Sequence, residues 1–217
     1  MEFKYDPESP IHRELQHFSH MAFHESERGL ILIVTADLDE KLKNILNSYL
    51  EPSRVSDDNI FKHHGALGNF SNRIEMVYRL GIIDASFANA IDSLRKSRNL
   101  MAHELDHTLD KSPHIDHINN SLVQIEKSNH LKNIVDASYK LHAQKEETIN
   151  PSSVTHMRLK DQFKGGRIKL KAIHLILSVI LDFIYQLIDR GVEKNQIYFG
   201  LESFEEDMSN YCLLMSE

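Results

Sequence analysis

ERGLILIVTADLDEKLKNILNSYLEP, Glu27 to Pro52, is the stretch on which the fold turns. Ile31 to Thr35 is largely β-branched and would suit a strand. Across the whole stretch, however, Leu30, Val34, Leu38, Leu42, Ile45, Leu46 and Tyr49 recur at steps of three and four residues. That period belongs to a helix, and a strand would alternate every second residue. The segment therefore reads as an amphipathic helix from Ser26 onward, stopped by Pro52.

Working outward, every other periodic segment has the same character. PSRVSDDN reads as a loop, and the glycines of GALGNFSNRIEMVYRLGII frame a turn before a short helix from about Asn69. Gly81 falls where a left-handed C-cap belongs, and Asp84 precedes ASFANAIDSLRKSRNLMAHEL as an N-cap. Ser112 and Pro113 are placed as N-cap and N1 of a helix running to Lys127, and a further helix is expected toward Gln144. KEETINPSS reads as loop, and an apolar helix runs from about Arg167 to Gly191. No internal repeat or low-complexity block is visible. The expected fold is all-α: a helical bundle with a long antiparallel helix hairpin and additional C-terminal helices. The division expected is a helical arm over residues 1–22, a helical domain over 23–190, and an acidic tail over 191–217.

A chain of 217 residues, 41% of them hydrophobic, is long enough for a sizeable core. Only 8 Gly and 5 Pro agree with long regular elements. The one cysteine, Cys212, excludes an internal disulfide framework and any thiolate-rich zinc site. MEFKYDPESP lacks the basic and apolar regions of a signal peptide, and with the lone cysteine it points to the cytoplasm. The apolar run Ala172 to Ile188 is interrupted by His174, Asp182 and Gln186, so a buried helix is expected there and not a membrane span. The formal net charge of -7 argues against a protein that coats nucleic acid by bulk electrostatics, while leaving room for a small basic site.

RNLMAHELDH, Arg98 to His107, carries two overlapping patterns. H-E-x-x-H is the zinc-protease helix, and R-N-x-x-x-H is a signature of metal-independent ribonucleases. By this chain's own composition they would arise by chance in roughly one chain in fifteen and one in twenty-five, so neither decides alone. A zinc reading would recruit His103 and His107 with Glu104 as base, and needs a third ligand. The long metzincin pattern asks for glycine and histidine where Asp110 and Pro113 stand, which leaves His114, at the wrong spacing. His114 and His117 would serve an opportunistic surface site at most. No metal or other cofactor is therefore expected.

On a helical wheel Phe87, Ala90, Ile91, Leu94, Met101 and Leu105 form one apolar stripe. Arg95, Asn99 and His103 fall on the other half, with Arg98 at its border and Ala102 between. An imidazole can move the proton of a ribose 2′-hydroxyl, and a guanidinium can grip the phosphate. A structural role is the competing reading, with Arg98 paired to Asp37 or Glu25 and Asn99 and His103 locking a hairpin.

The blocks ESERGL (Glu25 to Leu30), ADLDEKL (Ala36 to Leu42), LGNFSNRI (Leu67 to Ile74), YRLGII (Tyr78 to Ile83) and LRKSRNLMAH (Leu94 to His103) resemble, in order and spacing, the mannitol operon repressor family. The resemblance spans roughly Phe23 to Arg190. It implies an all-helical protein without a direct sequence-specific DNA-binding motif. The R-N-x-x-x-H element is similar to that of the HEPN superfamily, whose active members build a metal-independent ribonuclease site across a homodimer. It implies a catalytic set of Arg98, Asn99 and His103. Glu25, Arg28, Asp37 and Arg73 match recurrent polar positions, and with Arg95 are expected as supporting or structural residues, Asp37 and Arg28 as buried salt-bridge members. The implied function is RNA cleavage by a cytoplasmic homodimer, suited to a toxin or phage-defence effector with a protein partner or antitoxin. The alternative is a non-enzymatic transcriptional regulator of the mannitol-repressor type that works through protein partners. Neither reading implies a membrane.

Overall fold

The computed structural model describes residues 25–54, 59–104, 108–129, 164–189 and 191. The N-terminal arm, the helix toward Gln144, Leu105, His107, Cys212 and the acidic tail lie outside the described residues. Among those described the chain is all-α, with no strand. Five helices follow in order: α1 (Glu27–Tyr49), α2 (Phe70–Arg79), α3 (Ala85–His103), α4 (His114–Lys127) and α5 (Gly166–Asp189).

Local chemistry fixes most of the helix ends. The Ser26 hydroxyl accepts from the Gly29 amide, the Asn69 side chain from Asn72, and Asp84 from Phe87. Each satisfies an amide that the first turn leaves without an intrahelical partner, at about 1 kcal/mol per cap. Gly81 takes φ 67, the left-handed conformation that closes α2. The β-branched run Ile31 to Thr35 is helical, and Thr35 returns its hydroxyl to the Ile31 carbonyl within the same helix. At α4 the boundary moves by one residue. Pro113 occupies the N-cap position without a side-chain cap, and Ser112 bonds the Asp116 carboxylate at 2.6 Å.

Helix directions follow from the cross-helix bonds. Asp84, at the start of α3, accepts from Ser128 and Asn129 just past the end of α4. Ser121 donates to the Ala90 carbonyl, Asn120 to Ser93, and Ser97 meets His114. Rising numbers on one helix meet falling numbers on the other, so α3 and α4 form an antiparallel hairpin. Serines at these positions bring the two backbones close. Helix α5 instead runs parallel to α1, since Asp37 meets His174 and Ser178 while Lys41 meets Asp182. At its start Gly166 lies so close to the Leu109 carbonyl that a Cβ would collide with it.

The core draws on all five helices. Leu30, Leu38 and Leu42 of α1, Val77 of α2, Phe87 and Leu94 of α3, Ile118 and Leu122 of α4, and Leu177 and Ile184 of α5 are fully buried. Burying each such side chain contributes roughly 1.5–3 kcal/mol. Helix α5 is long and apolar enough to cross a membrane by length and composition. It packs mainly along α1, and its polar residues His174, Ser178 and Asp182 are engaged by Asp37 and Lys41.

Candidate functional site

Helix α3 ends sooner than its apolar pattern predicts. His103 is its last residue, and Glu104 is extended at φ -113, ψ 137. A contact distant in sequence accompanies the stop: Arg28 Nη2 donates to the Ala102 carbonyl at 2.8 Å, satisfying one of the acceptors that a helix end exposes. A guanidinium there also suits the negative end of the helix dipole. Arg28 is thus an exposed C-terminal clamp and not a buried salt-bridge member. The break has a chemical consequence. With Glu104 extended, the helix that would have to carry a zinc-protease pair onward stops at His103 itself. His107 is outside the described residues, and among those described no group of three metal-capable side chains is assembled.

His114, the remaining residue of the zinc alternative, is fully buried at the start of α4. Its Nδ1 shares a 3.0 Å hydrogen bond with the Ser97 hydroxyl, and its Nε2 lies 3.6 Å from Glu104 Oε2. Serine, histidine and glutamate in a row resemble a hydrolase triad. The ring is reversed relative to one, however, with the hydroxyl on Nδ1 and the acid near Nε2. Ser97 is also fully buried, so no substrate reaches it. The arrangement fastens the hairpin.

Asn99 and His103 point into an open cleft of about 420 Å³, whose wall is completed by Lys96, Leu100, Glu104 and His117. The volume is within the range of small-ligand sites. Arg98 is exposed beside this wall and donates to Asn99 Oδ1 at 3.0 Å. The guanidinium is therefore linked to the cleft through the amide it holds. Among the described residues Arg98 has no carboxylate partner, so pairing with Asp37 or Glu25 does not occur. His103 is exposed and makes no hydrogen bond among the described residues. Behind the wall, Asp92 receives Arg95 at 2.7 Å and Lys96 at 2.9 Å. Burial pushes the Asp92 carboxyl up, but its bonds to Lys96 and Arg95 hold it below the ordinary value.

The other polar residues expected near the site are elsewhere. Asp37 accepts from His174 Nε2 at 2.8 Å and from Ser178 at 3.2 Å, with the Lys41 ammonium 3.9 Å away. Burial pushes its carboxyl up, yet the His174 bond, Lys41 and Ser178 outweigh burial and hold it low. Arg73 is buried, grips Asp39 through two 2.6 Å bonds, and donates to the Leu67 carbonyl. It ties α2 and the preceding turn to α1. Glu25 is exposed, with its carboxylate against Gly29. None of these touches the cleft.

Sequence reasoning did not place His117 or Lys96 in the site. Helical spacing gives a partial signal for Lys96, which lies three residues before Asn99 on α3. His117 comes from α4, and only the hairpin register brings it there. Compared with known protein families, with curated proteins and with solved structures, the chain shows no match.

Proposed function

We propose that this protein is a metal-independent endoribonuclease of the HEPN type, acting as a homodimer whose two-fold axis brings two copies of this face to one RNA. The observation that carries the reading is the disengagement of Arg98 and His103 from the scaffold. Every other arginine in the motif blocks holds a carbonyl or a carboxylate: Arg28 that of Ala102, Arg73 that of Asp39, Arg79 that of Glu75 and Arg95 that of Asp92. Arg98 instead holds only the amide of Asn99, a residue of the cleft wall, and His103 presents its imidazole in that wall.

In this reading Arg98 grips the scissile phosphate and offsets its developing charge, and Asn99 orients that guanidinium. His103 transfers a proton as the 2′-oxygen attacks phosphorus and the bond to the 5′-oxygen breaks. The products are a 2′,3′-cyclic phosphate and a 5′-hydroxyl, and no metal or water enters the step. A toxin or phage-defence setting suits such an activity.

The test is cleavage of total cellular RNA in chelator by the wild type and by His103→Ala. The expected result is cleavage with cyclic-phosphate ends, reduced at least about 100-fold in the variant. Equal inertness of two folded proteins toward varied RNAs would leave the non-enzymatic regulator, working through protein partners, as the reading of choice.

A further inference from the structure

Cleavage through a 2′-hydroxyl moves two protons. One leaves the attacking oxygen and the other reaches the departing 5′-oxygen, so a single imidazole is only half of the machinery. The cleft offers a second. His117, on α4, lines the same cleft as His103 and Lys96, on α3. His117 is partly buried, and its position is fixed by the hairpin contacts Ser97–His114 and Asn120–Ser93 on either side of it.

We propose that His117 is the second proton-transfer group of this cleft, working opposite His103 on one RNA phosphodiester. The assignment rests on the ribonuclease reading above. His117 Nδ1 or Nε2, unprotonated, takes the 2′-hydroxyl proton as the O2′–P bond forms. His103, protonated, gives its proton to O5′ as the P–O5′ bond breaks. Proton exchange with solvent restores both rings. The pair then belongs to one chain, and the two-fold axis serves to align the RNA.

The surroundings of His117 suit the role of base. Burial and the Lys96 ammonium favour its neutral form, against the weaker pull of Asp116 on its own helix and Asp92 on α3, and hold its pKa below the ordinary histidine value. His103 and Glu104 complete the ionisable groups of the wall. Glu104 opposes an entering phosphate. Lys96 and the adjacent Arg98 supply the compensating positive charge.

The experiment uses the bond that the wild type cuts, remade with a 5′-bridging sulfur. A thiolate leaves without help from an acid, so this RNA should restore His103→Ala to near wild-type rate. His117→Gln should stay at least about 100-fold slow on both substrates. A folded His117→Gln variant with wild-type rate would overturn the assignment while leaving the ribonuclease reading intact. Rescue of His117→Gln by the thio-substrate would overturn its role as base. Absence of any cleavage by the wild type sinks both readings together. Independently of any variant, titrating the wild-type chain with inorganic phosphate should move the imidazole proton resonances of His103 and His117 together. Movement of His103 alone counts against a shared site.

Discussion

Two clusters of nearly the same chemistry lie in opposite settings in this molecule. Between α1 and α5, Asp37, Lys41, His174 and Asp182 meet through contacts of 2.6–3.9 Å, with Lys41 and His174 almost wholly buried. At the end of the α3–α4 hairpin, Lys96, Asn99, His103 and His117 line an open cleft. The first cluster has turned its charges on one another, and opposite charges compensate the cost of leaving water. The second keeps an imidazole facing solvent beside a guanidinium that holds only an amide. A histidine or a basic residue is thus not informative by type. What separates scaffold from candidate site is that the charges of the first cluster hold one another, whereas Arg98 and His103 hold no charged partner among the described residues.

The contrast can be broken most forcefully at Lys41. Lys41→Met removes the ammonium between Asp37 and Asp182 and leaves their carboxylates in the interior without it. A loss of about 3–5 kcal/mol is expected in urea denaturation. A loss under about 1 kcal/mol would mean that the α1–α5 cluster is as dispensable as a surface pair.

Acid should distinguish the clusters next. Because Asp37 is held below the ordinary aspartate value, the folded state binds this proton less readily than the unfolded one. Its contribution is complete above the unfolded pKa of about 4 and is lost as pH falls through the lower folded value. Denaturation midpoints should therefore drop more steeply below about pH 4 in the wild type than in Asp37→Asn. Parallel curves would detach Asp37 from the stability of the bundle.

The smallest effect is expected at the cleft. Arg98→Ala and His103→Ala should each change stability by no more than about 0.5 kcal/mol, as surface positions do. A loss above about 2 kcal/mol in either would make that residue part of the scaffold and erase the contrast.

The helices were legible because their signals are local. The three-and-four spacing along α1, Ser26 and Asn69 as helix starts, Asp84 as a cap, and Gly81 at a left-handed turn all act within a few residues of the feature they fix. The misplaced features depend on distant partners. Arg28 meets the end of α3 across 74 positions of sequence, and the apolar stripe alone would carry that helix on toward Leu105. His174 reaches Asp37 across 137 positions, so nothing near Asp37 could identify its partner. The site was half legible for the same reason. Asn99 and His103 share one helix and one motif, whereas His117 is brought by the packing register of another.

That register is held like a ratchet with a single notch. Asp84–Ser128, Ala90–Ser121, Ser93–Asn120 and Ser97–His114 tie the two helices at successive points along their length. A slip by one turn, about 5.4 Å, would undo all of these ties together. A smaller slip would drive the interlocked side chains into one another. The register that brings His117 to the α3 face is therefore not a quantity that drifts with temperature or strain. It is kept whole, or it is lost with the hairpin.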